Sequence, residues 1–370
     1  MNALRNLAMT RQYLKNNMHP ADVAKDIYIN RDTGVQLPRT TTERVKAAFV
    51  VLVRNRELDD LRSSMRDMEA TFNYKYNYPW IFLNEEPFTE EFINLTTSMT
   101  KANVSYGLVE KEHWGYPPWI DQDLAKLKRK EMADEGIIYG GSESYRHMCR
   151  FQSGFFYMHP LLDDLDYYWR VEPDVNFMCD IDYDPFLYMK QHDKKYGFTI
   201  SLREFYSTVP TLWNTTKEWM GLNQKYLVPQ HDPENLMKFV TDDDGDSYNL
   251  CHFWSNFEIG SVAFLRSEAY QSYFRHLDQA GGFFYERWGD APVHSIAVAM
   301  LLKASEVHFF NDMGYRHGPF QHCPDGPDWL SKGKCYCEPR KSFDMSFNSC
   351  LPKWMEVTNT TVENYIISQS

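Results

Sequence analysis

The sequence predicts an α/β fold of Rossmann-like layout, a central sheet flanked by helices in a single domain, on three observations. Strand-like and helix-like stretches alternate three times between residues 47 and 135. The first strand is a continuous apolar run, as parallel strands buried on both faces are. The 370 residues, 43% hydrophobic and 24% charged, also suffice for a large core. Residues 47–53 read AAFVVLV and form the first strand. Leu58, Leu61, Met65 and Met68 follow at helical spacing within 56–72. The alternation continues with a strand over 79–85 (PWIFLNE), a helix over 87–100, a strand over 104–110 (VSYGLVE) and a helix over 121–135. A helix over 144–158 then leads to a strand in which Tyr167, Trp169 and Val171 alternate. Residues 1–45, mixed polar and ending in Pro38 and TTTER, read as an N-terminal arm; 46–355 form the folded domain and 356–370 a tail.

Composition removes several functions. With 39 Lys+Arg against 51 Asp+Glu the net charge is −12, so a polyanion meets repulsion and nucleic acid is not an expected partner. No stretch approaches the roughly 20 apolar residues of a membrane span. The N-terminus has no apolar core bounded by a cleavage site, so a signal or anchor is expected outside this chain, if one exists. There is no GxGxxG after the first strand, no GxxxxGK[ST] and no GxSxG, which lowers the expectation of NAD enzymes, P-loop NTPases and α/β-hydrolases. Seven cysteines include no CxxC pair, against a zinc ribbon or thioredoxin site. Cys323, Cys335, Cys337 and Cys350 crowd a loop-rich C-terminal region, which suits either disulfides or buried thiols, and the odd total leaves at least one thiol free. Sequons at Asn94, Asn103, Asn214 and Asn359 add to the case for a secretory lumen. The 16% aromatic content is mostly core, although ring faces also suit sugars.

Two stretches carry candidate chemistry. Arg54-Asn55-Arg56 follows the first strand, at the end where open α/β sheets bind ligands, and an arginine there meets a phosphate or simply starts a solvated helix. Glu172-Pro173-Asp174 closes the aromatic strand, and two carboxylates held by a proline present oxygens to a divalent ion bridging a diphosphate. Asp242-Asp243-Asp244-Gly245-Asp246 does not fit a calcium loop and reads as a solvated turn. Cys335-x-Cys337 lacks partners for a tetrahedral metal site and reads as disulfide-bonded.

The blocks YRHMCRFQSGFFY, YYWRVEPDV, CHFWSNFEIG, RWGDAPVHS and GYRHGPFQHCP, in order over about residues 45–355, resemble the fungal Golgi α-1,2-mannosyltransferases. The resemblance implies a GT-A nucleotide-diphospho-sugar transferase with 46–180 as the nucleotide-sugar half and 181–355 as the acceptor half. It implies Mn²⁺, GDP-mannose as donor, mannose-terminated N- or O-linked glycans as acceptor, retention of configuration, and a type II membrane protein of the Golgi lumen whose anchor is absent from this chain. Residue by residue it implies Glu172 and His317 as metal ligands, with Asp174 close by. A carboxylate with an imidazole suits Mn²⁺ better than Ca²⁺. Glu258 falls beneath the anomeric carbon, either attacking it or stabilising its positive charge while the acceptor enters from the leaving-group face. The alternative for Glu258 is a buried pair with an arginine such as Arg266. Asp290 is implied as acceptor-side base or donor-hydroxyl ligand, or else as a helix cap. By the same resemblance Tyr145 holds the donor or the catalytic carboxylate and Arg54 and Arg150 meet phosphate or nucleotide, while Trp254 and Trp288 either stack on mannose or pack in the core. The rival readings are a catalytically silent glycan-binding domain and a transferase of other linkage or donor.

Overall fold

The computed structural model describes residues 27–29, 36–38, 44–324 and 335–361. Its contacts divide the chain between Val45 and Lys46. In the first unit, β1 (Ile27–Ile29) pairs antiparallel with β2 (Gln36–Pro38). The remainder of the expected arm, up to residue 43, and residues 362–370 of the expected tail lie outside the described residues.

The second unit is built on a seven-stranded sheet. Its strands are β3 (Ala47–Leu52), β4 (Trp80–Asn84), β5 (Val104–Leu108), β6 (Tyr167–Arg170), β8 (Tyr196–Phe198), β11 (Glu258–Ser261) and β12 (Val307–Phe309), in the order β12-β8-β11-β6-β3-β4-β5. All run parallel except β11, which is antiparallel to both β6 and β8. The sheet is therefore mixed, and it unites strands from both expected halves of the domain. Helices α1 (Leu58–Met68), α2 (Glu90–Thr97), α3 (Gln122–Asp134) and α4 (Glu143–Gly154) occupy the four stretches expected to be helical. Two of their limits differ from expectation for local reasons. The Thr89 hydroxyl accepts the Phe92 amide and so starts α2 three residues late. Helix α4 stops at Gly154, where a Cβ would sit 1.9 Å from the Phe274 ring, so the chain turns off against that close contact.

The aromatic content is spent mainly on the core. Trp169 is ringed by Phe49, Phe72, Phe177, Phe186 and Phe257 at 5.4–6.0 Å between centroids. On either side of β3 the chain moves in opposite directions, to β4 and to β6, and a crevice opens at the carboxyl ends of these strands. A short second sheet reaches that crevice. After Glu172-Pro173-Asp174 the chain enters β7 (Val175–Phe177), which pairs antiparallel with β13 (Tyr315–His317), and β13 pairs with β14 (Phe320–His322). A third small sheet pairs β9 (Ser201–Arg203) with β10 (Cys251–Phe253). Three disulfides, Cys179–Cys335, Cys251–Cys350 and Cys323–Cys337, tie the C-terminal segments to the sheets, and Cys149 is a buried free thiol. The C-terminal helix Leu351–Thr358 crosses the expected boundary at 355.

Candidate active site

A cavity of about 760 Å³ lies at the carboxyl ends of β3 and β6. Register explains its composition. Arg54 leaves the end of β3, and its Nε meets Glu85 at 3.2 Å. Glu172 leaves the end of β6, and Asp174 follows with φ 59°, a left-handed turn that an aspartate tolerates better than most residues. The β7–β13 pairing sets His317 opposite Val175, one residue beyond that turn. Arg54, Glu172, Asp174 and His317 therefore share one wall, although they come from three separate parts of the chain.

Arg170, the last residue of β6, organises the floor. Its Nε donates to Glu172 Oε1 at 2.6 Å, and its Nη1 donates to Asp290 Oδ2 at 2.6 Å. Ser255 donates to the same Asp290 oxygen at 2.7 Å. Burial pushes the Glu172 carboxyl up, and Arg170 only partly offsets this. For Asp290 burial also acts upward, but Arg170 and then His294 outweigh it, so that its carboxyl lies below the ordinary range. Asp290 is the first residue of the helix Asp290–Leu301 with Gly289 at the cap position, and its carboxylate is engaged by Arg170 and Ser255. Nothing in the sequence-based reading singled out Arg170; the signal was its place two residues before Glu172.

Glu258 is placed differently from expectation. Antiparallel pairing of β11 with β6 sets it opposite Arg170, but it is 0% exposed and does not line the cavity. Tyr168 donates to its Oε1 and Tyr196 to its Oε2, each at 2.9 Å, and His294 Nδ1 lies 3.0 Å from Oε2. His294 Nε2 faces the Gln152 carbonyl at 3.1 Å and must carry a proton to bond it. Burial alone lowers the His294 pKa, but Glu258 more than reverses this and raises it. The expected Arg266 alternative fails as well, because Arg266 bonds the Tyr157 carbonyl and Asp163.

Two other expected ligand-binding residues are not on the cavity. Arg150 is buried in a two-pronged ion pair with Asp278 at 2.6 and 2.9 Å, so its guanidinium is already occupied. Trp288 is 1% exposed and packs on Gly282, where a Cβ would come within 2.1 Å of its indole. Tyr145 and Trp254 do line the cavity. Trp254 stacks on the His317 ring at 5.4 Å.

A bound divalent ion is compatible with the donor set at Glu172 and His317. Arg170 engages Glu172 through Oε1, and Asn256 engages His317 through Nδ1 at 2.8 Å, so a metal bond would come from His317 Nε2. This requires Nδ1 to hold the proton and Asn256 to turn its amide oxygen toward it. Tyr315, whose hydroxyl lies 3.0 Å from the same amide, serves either orientation. Among the described residues, the one set of three possible ligands within 4.8 Å of one another is Cys179, Cys335 and Cys337, and these sulfurs are in disulfides. Glu172, Asp174 and His317 do not form such a set.

The family model described as glycolipid 2-alpha-mannosyltransferase matches residues 2–359. The chain belongs to this family. It is 54% identical to glycolipid 2-alpha-mannosyltransferase 1 of Candida albicans over 86% of this chain and 73% of that protein. It is 53% identical to an alpha-1,2 mannosyltransferase of Saccharomyces cerevisiae over 87% and 81%. The crystal structure of core-mannan synthase A from Aspergillus fumigatus, in a Mn/GDP form, superposes with a TM-score of 0.81 at 45% identity, covering 87% of each chain. The mannosyltransferase Ktr4p of Saccharomyces cerevisiae in complex with GDP gives 0.82 at 37% identity, covering 88% and 84%. The fold is that of the GT-A glycosyltransferases, and the protein is an enzyme, an α-1,2-mannosyltransferase. The reading as a silent glycan-binding domain gives way to it.

Proposed function

We propose that this mannosyltransferase moves mannose from GDP-mannose to mannose-terminated N- or O-linked glycans in an α-1,2 linkage with retention, using Mn²⁺, in the Golgi lumen. The observation that carries the reading is the β7–β13 register, which brings His317 to the Glu172-Pro173-Asp174 turn at the carboxyl end of β6. Glu172 and His317 would hold the ion, which supplies positive charge to the departing diphosphate. Arg54, on the same wall, adds a cation for phosphate oxygens. Asp290 faces the sugar as an ionised hydroxyl ligand. Its lowered pKa makes it a weak proton acceptor, so the departing phosphate is the better base for the acceptor hydroxyl.

Retention by direct attack of Glu258 would require it to leave three hydrogen-bond partners and enter the cavity. Attack of the acceptor on the leaving-group face needs no such movement and is the mechanism we favour. Glu258 then acts indirectly, by fixing Tyr168, Tyr196 and His294 in the layer next to Arg170. For location, three disulfides and sequon asparagines at Asn94, Asn103, Asn214 and Asn359, all exposed, support an oxidising secretory lumen. No helix among the described residues is long and apolar enough to cross a membrane.

The test is product formation from GDP-mannose and methyl α-mannoside with and without MnCl₂, with linkage and anomer read by NMR. Manganese-dependent α-1,2-mannobioside is expected. A Glu172→Ala variant that kept full activity after chelator treatment would remove the metal assignment, and a β-linked product would remove retention.

A further inference from the structure

Exposed rings are unevenly placed around the cavity. Tyr139 is 56% and Phe205 63% exposed, and both line it, whereas most aromatic side chains of the core are closed off. Tyr139 holds φ 56°, a left-handed conformation that a bulky residue adopts only when its surroundings impose it. Its ring lies flat on Tyr145, with centroids 4.5 Å apart and planes 11° from parallel. The other side of this stack is continuous with charged groups. The Arg287 guanidinium lies 5.2 Å from the Tyr145 ring centroid and donates through Nη2 to Glu204 at 2.7 Å, and Phe205 follows Glu204 in sequence. Arg287 is 4% exposed on its side chain and lines the cavity, and its buried Nε has no hydrogen-bond partner among the described residues.

Tyr139, Tyr145, Arg287 and Glu204 form one connected series, and Phe205 lines the cavity next to Glu204 in sequence. The series adjoins Asp290, whose charge acts on Tyr145, and shares no hydrogen bond with the Glu172 and His317 wall assigned to the diphosphate. Flat rings beside a guanidinium and a carboxylate are groups that a pyranose can recognise. The rings cover its C–H face, and the charged pair bonds its hydroxyls. A single acceptor mannose has only to reach Asp290, so a wall extending outward to the exposed rings has room for a further sugar.

We propose that Tyr139 and Phe205, backed by Tyr145, Arg287 and Glu204, form a second acceptor subsite that takes the penultimate mannose of an oligomannoside. The inference rests on the function proposed above and makes the enzyme prefer acceptors of two or more sugars. The strain at Tyr139 holds its ring at the mouth, where the neighbouring Gly140 and Gly141 carry none.

The test compares kcat/KM for α-1,2-mannobioside with that for methyl α-mannoside at saturating GDP-mannose. The intact enzyme is expected to favour the disaccharide. Tyr139→Ala and Phe205→Ala are each expected to lower the ratio of the two values by about fivefold to tenfold, the size of one lost ring contact. Tyr139→Phe keeps the ring and should keep the ratio, which separates ring loss from misfolding. GDP affinity, measured by fluorescence titration in each variant, reports on the donor wall. A ratio unchanged in both alanine variants overturns the subsite, as does a loss expressed only in GDP or GDP-mannose affinity. If the intact enzyme transfers to neither mannoside, the proposed function itself fails, and the subsite with it.

Discussion

Replacing Arg170 by Met removes the cation between two buried carboxylates, Glu172 and Asp290, each held at 2.6 Å. Breaking a buried pair by deleting one partner costs about 3–5 kcal/mol, since the remaining charge is left without compensation. In a domain of this size that corresponds to a fall of roughly 10 °C in melting temperature. The deficit must depend on pH, and its sign follows from Asp290. In the intact protein this carboxyl lies below its ordinary value, so its contribution is present above that value and is lost as pH falls through the folded one. In the Met variant burial is opposed at Asp290 only by His294 and Ser255 and at Glu172 no longer by Arg170, so both carboxyls move up, take up protons more readily as pH falls, and the penalty shrinks. Melting followed by near-ultraviolet circular dichroism should show a large deficit at pH 7.5 and a smaller one at pH 5. Transfer activity should be lost at both. Arg170→Lys keeps the charge but not the two-pronged geometry and should fall between. A Met variant melting within 2 °C of the parent at pH 7.5 would refute the reasoning, on the scale of roughly 2 °C per kcal/mol. So would a deficit of equal size at pH 5.

Other consequences are as direct. Glu258→Gln removes the counter-charge that raises His294; in the parent that stabilisation is complete below the ordinary histidine value and is lost as pH rises through the folded one. The melting temperature of the parent should therefore slope downward through this window and that of the variant should be flatter, with parallel curves counting against the ion pair. Asp312, pushed up to about 6 by burial, is destabilising once ionised, so Asp312→Asn should gain about 3 kcal/mol at pH 7 and nothing near pH 4, as measured by urea unfolding at the two values. Cys350→Ser opens a disulfide spanning 99 residues and should cost about 4–5 kcal/mol, with Cys251 becoming open to alkylation on unfolding without reductant.

Legibility differed between the framework and the site. The strands at 47–52, 80–84 and 104–108 and helices α1 to α4 were readable because each carries its own periodic pattern, and their ends were set by local events such as the Thr89 cap. Glu172, Asp174 and Arg54 were readable because they sit next to such elements, at the strand ends where ligands bind. Arg150 and Trp288 were misplaced for one reason. A basic or aromatic residue within a motif looks the same in sequence whether it faces a ligand or a buried partner, and Asp278, the partner of Arg150, lies 128 residues further along the chain. Tyr139 and Phe205 lay outside every motif and had no local signal beyond their own ring.

By itself, the sequence determined the element types, the absence of dinucleotide, P-loop and hydrolase motifs, and, by resemblance, the family. These depend on residue types at short spacing, which the chain displays directly. Tertiary structure decided which side chains meet: His317 beside the Glu172 turn, Arg170 between two carboxylates, Glu258 enclosed by Tyr168, Tyr196 and His294, and the pairing of six cysteines. Those outcomes follow from strand register and helix packing across separations of tens to hundreds of residues. A shift of one residue in the β11–β6 register would turn Glu258 to the other face of the sheet, and no local pattern in the sequence records that choice.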